Sequence, residues 1–347
     1  MALRVEDAVA TLTRSADAQA VDPTLQHRLA AVQALLASDL RWVEAALDQA
    51  ASEGPAPATD AARHLVSRGG KRVRPMALLL SAACFGPIPA AARELAVVCE
   101  LVHSATLLHD DVIDDGDERR GAPTARRIWG NGISVLSGDL LLVHSLSRTL
   151  AHAPALMPDL IETLTRLVEG EILQMRGRTE LDVSLETYER VLRGKTASLF
   201  GWATRAGAQV SGAGAEAARR LFEFGEALGM AFQLVDDVID YSGERSGKPL
   251  FADLSEGKLT LPLVLAVEER PELLGPLARI HAGDLEPVAE VAAAVLESGA
   301  CDEVRRRAGE HTARAIAALE AVPGGSAREL LAGVARGLTE DNPRVHD

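Results

Sequence analysis

The chain has 347 residues, 47% of them hydrophobic and 25% charged, with a formal net charge of −14. This is globular composition, with enough chain for one large core or two modest ones. The acidic balance argues against nucleic acid as a main partner, because the sequence-independent phosphate contact needs a basic surface. The sequence also lacks the long uncharged apolar run of a transmembrane helix.

From the N-terminus, residues 1 to about 20 carry acidic residues early, show no apolar signal-peptide core and read as loosely ordered. Apolar residues then recur at three- and four-residue spacing over 26–50, 90–109, 133–151, 158–176, 185–208, 215–241, 259–269, 286–298 and 302–321, which predicts helices there. Gly, Pro and Ser mark the breaks: GPAPAT at 54–59, FGPIP at 85–89, RRGAPT at 119–124, SGERSGKP at 242–249 and VPGGS at 322–326. None is long enough to separate domains. Residues 1–347 are therefore expected to form one all-α domain, with the tail 341–347 loosely ordered. Cys84, Cys99 and Cys301 are widely spaced and odd in number, which suggests free thiols in a reducing cytoplasm and neither a disulfide frame nor a zinc site.

Only four of the 36 Lys and Arg residues are lysines: Lys71, Lys195, Lys248 and Lys258. A lysine ammonium is a compact point charge suited to phosphate, so a chain that otherwise uses arginine points to function at these four places. Drift in an arginine-biased genome is the bland alternative.

The pentapeptide DDVID occurs twice, at 110–114 and 236–240. Each copy follows an apolar helical stretch and precedes a loop containing glycine. Residues i and i+4 share a helix face, so Asp110 and Asp114 are expected to point one way, as are Asp236 and Asp240. Like charges at that spacing repel unless a cation sits between them, and carboxylate oxygens suit magnesium bridging a diphosphate. One such cluster alone could be a solvated helix end; two copies on apolar shafts favour metal.

These residues carry a resemblance to a known family. The segments GGKRVRP at 69–75, LVHSATLLHDDVIDDGDERRG at 101–121, EGEILQM at 169–175, GKTASLF at 194–200 and FQLVDDVIDYSGERSGKPLFADLSEGKLTLP at 232–262 resemble the trans-isoprenyl diphosphate synthases, and among them the longer-chain polyprenyl synthases. The likeness is dense over about residues 60–270. It implies the isoprenoid synthase fold, an antiparallel helical bundle around a deep central cavity, usually a homodimer, with the two aspartate clusters facing each other. It implies condensation of isopentenyl diphosphate onto an allylic diphosphate, with roughly three magnesium ions per active site. By resemblance Asp110, Asp114 and Asp236 are metal ligands, supported by Asp111, Asp237 and Asp240. Lys71, Arg74, His103 and Arg120 match positions that hold isopentenyl diphosphate. Arg119, Lys195, Gln233, Lys248 and Lys258 match positions that hold the allylic diphosphate, and Thr196 a position near the reacting carbons. Read alone, His103 could be a packed core histidine, Arg119 and Arg120 surface residues, and Gln233 a helix hydrogen-bonding residue.

Product length is partly legible. Ala105 and Thr106 lie one turn before Asp110, and Val102 and Leu101 two turns before it. Short-chain family members carry a bulky aromatic near the first of these levels, and this chain does not. A helical turn is about 5.4 Å, close to one isoprene unit, so a product longer than farnesyl, of roughly six or more units, is expected. A geranylgeranyl product, a class I terpene cyclase, a non-catalytic subunit of a heteromeric synthase and an acidic cation-binding protein are the alternatives. The second DDVID and GGKRVRP speak against the cyclase, the intact aspartates against the silent subunit, and the lysines against the cation binder. Transient membrane contact during release of an apolar product is also expected. The acidic ending LTEDNPRVHD puts closure by a basic tail in doubt.

Overall fold

The computed structural model describes residues 23–70, 72–242 and 251–340. Lys71, Lys248 and the terminal segments 1–20 and 341–347 lie outside the described residues. Sixteen α-helices are present among those described. They are α1 (Pro23–Ser52), α2 (Ala58–Val66), α3 (Val73–Ala83), α4 (Ala90–Ile113), α5 (Ala125–Trp129), α6 (Asn131–His152), α7 (Met157–Glu180) and α8 (Leu185–Leu192), followed by α9 (Ser198–Val210), α10 (Ala215–Ser242), α11 (Ala252–Ser255), α12 (Leu261–Glu269), α13 (Leu274–His281), α14 (Val288–Glu297), α15 (Ala300–Ala318) and α16 (Ser326–Glu340). The all-α expectation holds. Helices α2, α3, α5, α11, α13 and α16 are additional to the periodic segments read from the sequence. The segment expected as one helix over 185–208 is interrupted by a π-helical turn at Arg193–Ala197.

The break RRGAPT is not plain loop. Glu118–Arg119 and Ala122–Pro123 pair as a minimal antiparallel hairpin. Its two turn residues, Arg120 and Gly121, both have positive φ, 53° and 71°. Such a turn matches the twist of paired strands, and Gly121 meets it without strain. Arg120 does not, since a left-handed backbone costs a side-chain-bearing residue about 1–2 kcal/mol.

The contacts divide the chain into two compact units. The first is Met1–Leu160, Trp202–Phe222 and Ala318–Gly337; the second is Ile161–Gly201, Glu223–Ala317 and Leu338–Asp347. In the first, α4 is apolar on nearly every side of its N-terminal half, so Leu95, Ala96, Val97, Val98, Leu101 and Val102 are all fully buried. A helix that is hydrophobic all round is a core helix. It packs closely along α6, where Ser134 donates to the carbonyl of Leu108 at 2.8 Å. In the second unit, Met230, Leu234, Val238 and Tyr241 form one stripe of α10 and pack with Leu261, Leu263, Val264, Val291, Val295 and Val304. At roughly 100° per residue this stripe leaves Asp236 nearly opposite and brings Asp237 to its edge. Accordingly Asp236 is exposed and Asp237 buried. No helix among the described residues is long and apolar enough to cross a membrane.

Candidate active site

The first aspartate cluster sits at the C-terminal end of α4. Asp114 caps the helix, its N–H donating to the carbonyl of Asp110 at 2.8 Å. Asp110 and Asp114 are both part-buried and share a helix face with His103, Thr106 and Leu107, which are likewise part-open. Asp111 points elsewhere. It is buried and accepts from Nε of Arg119 at 2.6 Å. Burial raises its pKa above the ordinary carboxylate value, while the Arg119 charge and hydrogen bond oppose the rise. Arg119 is thus tied to the aspartate it follows, and the hairpin is the device that brings it back.

On the same unit a cationic group gathers around the start of α3. Arg72, with φ of 50°, donates Nε and Nη2 to the two carboxylate oxygens of Glu44 at 2.6 and 3.1 Å, and Nη1 to Glu100. Glu100 is buried, and burial alone would raise its pKa. Arg72, His103, Arg120 and Arg74 overcome that and hold it down at about 2. His103 is pushed down to about 3, first by burial and then by Arg74, so its imidazole is neutral at physiological pH. Nη1 of Arg120 donates to the carbonyl of Gly69. The sequence reading brings Arg74, His103 and Arg120 to one place; it did not single out Glu44, Arg72 or Glu100. The spacing of Glu100 and His103, three residues apart on an apolar helix, was the available signal.

The second cluster lies in the last turns of α10. Asp237 accepts from Tyr188 Oη at 2.7 Å, from the N–H of Leu261 at 3.1 Å and from Nε2 of Gln233 at 3.0 Å. The other end of the Gln233 amide accepts from Oγ1 of Thr196 at 3.2 Å. A continuous hydrogen-bonded line therefore runs Thr196–Gln233–Asp237–Tyr188. Asp240 is also buried; its carboxylate meets the N–H of Asp253 at 3.3 and 3.4 Å. Asp236 and Asp240 share a face of α10 but differ in burial, with Asp236 exposed and Asp240 held by the chain that follows.

Of the four lysines, two are described. Lys195 lies in the π-helical turn, where its ammonium pairs with Glu171 and donates to Oε1 of Gln174 at 2.8 Å. π-Turns inside helices recur at functional sites, because the extra residue re-aims the side chains around it. Here it coincides with a close crossing of two chains. A Cβ on Gly170 would stand 2.7 Å from the N of Lys195, and one on Gly194 would stand 2.8 Å from the carbonyl oxygen of Arg166. Lys258 pairs with Asp253 at 3.2 Å and Glu256 at 2.6 Å. Both described lysines are therefore held by carboxylates, from which an incoming anion would have to draw them. Glu171 and Gln174 lie within the quoted EGEILQM segment, and Asp253 within the quoted 232–262 segment, without having been given a role, and Tyr188 carried no signal in a single sequence.

The product-length positions separate on the helix. Ala105, Val102 and Leu101 are fully buried, whereas Thr106 is part-open on the face of Asp110, its Oγ1 donating to the carbonyl of His103 at 2.8 Å.

The donor chemistry of both clusters fits a hard divalent cation. All donors are carboxylate oxygens, and both clusters lie at helix C-termini, where the backbone dipole adds negative potential. Among the described residues no three His, Cys, Asp or Glu side chains converge as a metal centre by themselves.

Comparisons with known proteins agree on one family. Residues 56–297 match the polyprenyl synthetase family model. The chain is 36% identical over 308 residues to heptaprenyl diphosphate synthase component 2 of Geobacillus stearothermophilus, covering 88% of this chain and 96% of that protein. It is 37% identical to octaprenyl diphosphate synthase of Escherichia coli (strain K12), covering 88% and 96%. Its fold is similar to that of a polyprenyl synthase from Caulobacter crescentus CB15 crystallised with calcium and isoprenyl diphosphate, with a TM-score of 0.82 and 32% identity, covering 89% and 96%.

Proposed function

Because this chain belongs to the polyprenyl synthetase family, and is thereby a prenyltransferase, we propose that it builds an all-trans polyprenyl diphosphate by adding isopentenyl diphosphate repeatedly to an allylic primer. The observation that carries the reading is the pair of DDVID clusters at helix C-termini, together with the cationic group around Glu100. A product longer than farnesyl is supported by the heptaprenyl and octaprenyl relatives and by the absence of an aromatic residue before Asp110.

In this proposal Asp110, Asp114 and Asp236 hold magnesium, and Asp111, Asp237 and Asp240 support them. The Caulobacter structure with calcium and isoprenyl diphosphate supports a divalent ion as the partner of the diphosphate. When bound, magnesium neutralises the charge that develops on the leaving diphosphate. The rest of the work belongs to the chain. Arg119, Lys195, Gln233, Lys248 and Lys258 bind and orient the allylic diphosphate. Lys71, Arg74, His103 and Arg120 hold isopentenyl diphosphate so that its double bond lies in reach of the allylic carbon. Thr196, fixed by Gln233, borders the reacting carbons. A neutral His103 can donate one hydrogen bond to an anion without adding a repelling charge to its arginine neighbours. No nucleophilic side chain is required.

The family match runs through residues of both units, which supports reading the whole chain as one catalytic domain. A homodimer belongs to the proposal as well. Leu136, Val143 and Leu150 stand one heptad apart on α6 and are each more than half exposed, and α7 carries exposed Ile161, Val168, Ile172 and Met175. Regular apolar stripes of this kind call for a covering partner. A cytoplasmic setting is supported by three free cysteines, two of them buried.

The test is to incubate the purified protein with magnesium, isopentenyl diphosphate and farnesyl diphosphate and to read product mass. A polyprenyl series that disappears with chelator and in Asp110→Ala is expected; no elongation from any allylic primer refutes the proposal for the isolated chain. A second reading, that the chain works with a companion component, is favoured by the name of the Geobacillus relative, component 2. An inactive isolated chain that elongates once a companion protein is added would support it.

A further inference from the structure

The cations around the start of α3 are not equivalent. All three side-chain nitrogens of Arg72 donate to carboxylates, two contacts going to Glu44 and one to Glu100. Arg72 is buried as well, so it has little left to offer a substrate. Gly70 lies between its guanidinium and that of Arg120. A Cβ there would come within 3.2 Å of Nη1 of Arg72 and of Nη2 of Arg120. Glu100, 3% exposed, is the buried carboxylate that interacts with Arg72, His103, Arg120 and Arg74 together.

The three guanidinium groups of Arg72, Arg74 and Arg120 brought this close repel one another, a low-dielectric setting strengthens the repulsion, and the imidazole of His103 stays neutral beside them. A buried carboxylate among them turns that repulsion into a fixed arrangement, and a bidentate guanidinium–carboxylate pair anchors it in direction as well as charge. We infer that Glu100, braced through Arg72 to Glu44, is a positioning residue for isopentenyl diphosphate: it sets the places of Arg74, His103 and Arg120 without touching substrate. This rests on the reading that those three residues bind isopentenyl diphosphate. The left-handed backbone of Arg72 fits the same role, because a strained conformation persists only where its surroundings hold it.

The test is steady-state kinetics on the full chain, varying isopentenyl diphosphate and farnesyl diphosphate in turn. Glu100→Gln is expected to raise KM for isopentenyl diphosphate by about tenfold or more, the loss of charge-assisted contacts, while KM for the allylic substrate stays within about twofold. Glu100→Asp should recover part of the loss. Glu44→Gln, at a side chain 35% exposed, should raise the same KM by a smaller factor and decides the matter if Glu100→Gln fails to fold. Arg74→Ala serves as the control for the premise. If it raises KM for isopentenyl diphosphate while both glutamate variants leave it unchanged, the inference falls and the site assignment stands. If Arg74→Ala leaves that KM unchanged, both fall. Equal rises in the two KM values would indicate general loosening and would also overturn the inference.

Discussion

Tyr188 donates its hydroxyl to Oδ2 of Asp237 at 2.7 Å, and the backbone N–H of Leu261 reaches the same oxygen at 3.1 Å. The second aspartate of the second DDVID is therefore held by α8 and by the start of α12, turned about 100° around its helix from Asp236. Burial still pushes its carboxyl up to about 7 against these bonds. Removing the tyrosine hydroxyl leaves that buried carboxyl short of one of its three donors. Tyr188→Phe should cost about 1–3 kcal/mol of stability, read from urea denaturation of the metal-free protein. A midpoint equal to that of the parent protein would show that Tyr188 does not support the cluster.

The crossing at Gly170 and Gly194 makes an opposite demand. Ala in place of Gly in a helix ordinarily gains up to about 1 kcal/mol. At Gly194 the new methyl would lie 2.8 Å from the Arg166 carbonyl, a backbone atom that cannot swing aside. Overpacking of this kind costs about 1–3 kcal/mol, so the steric term wins. Gly194→Ala should lower the thermal midpoint and, by moving Lys195, lower kcat/KM for the allylic substrate. A stabilised, fully active variant would contradict the packing described.

Acid should weaken the first unit, and the sign follows from two depressed pKa values. His103 titrates ordinarily near 6.5 but in the fold near 3, so below 6.5 the unfolded chain takes up a proton that the folded chain refuses. Stability from this group is present above 6.5 and is lost as pH falls toward 3. Glu100, lowered from 4.5 to about 2, contributes stability lost over that lower window. His103→Gln should flatten the stability profile between pH 7 and 5 relative to the parent protein, measured by denaturant midpoints across that range. Parallel profiles would rule the histidine out as the cause.

Product length should respond to Thr106 more cleanly than to Ala105. Both precede Asp110 by about one turn, but Ala105 is fully buried and Thr106 opens on the aspartate face. Thr106→Phe is expected to shorten the product without large loss of stability. Ala105→Phe should shorten it only at an overpacking cost of about 1–3 kcal/mol. Mass spectra of both products settle the matter; unchanged length in both would remove this face from the account of chain length.

Association should depend on the stripe of α6. Val143 is 56% exposed, so a charge there costs a monomer little. Val143→Glu is expected to shift the protein from dimer to monomer in sedimentation. A parent protein that is already monomeric at micromolar concentration would dismiss the dimer.

Helix periodicity was enough to read the fold class, and two repeated pentapeptides to single out carboxylate clusters suited to a divalent ion, because both rest on local spacing; the reaction was read from the family resemblance of five motif segments. An i, i+4 pair of aspartates shares a face wherever a helix forms, and Asp110 and Asp114 do share the open face of α4. The hairpin that returns Arg119 to Asp111, the brace Glu44–Arg72–Glu100 and the line Thr196–Gln233–Asp237–Tyr188 were not legible. Each joins residues from separate elements, and the glutamates and the tyrosine carry no motif of their own. The two DDVID copies make the division plain. They are identical in sequence, yet Asp111 is bound by an arginine of the following hairpin and Asp237 by a tyrosine, an amide and a backbone N–H. Sequence by itself determined which residues could bind metal and diphosphate. Tertiary structure alone decided which of them are spent holding the others in place, because burial and hydrogen-bond partners belong to the neighbours that folding supplies.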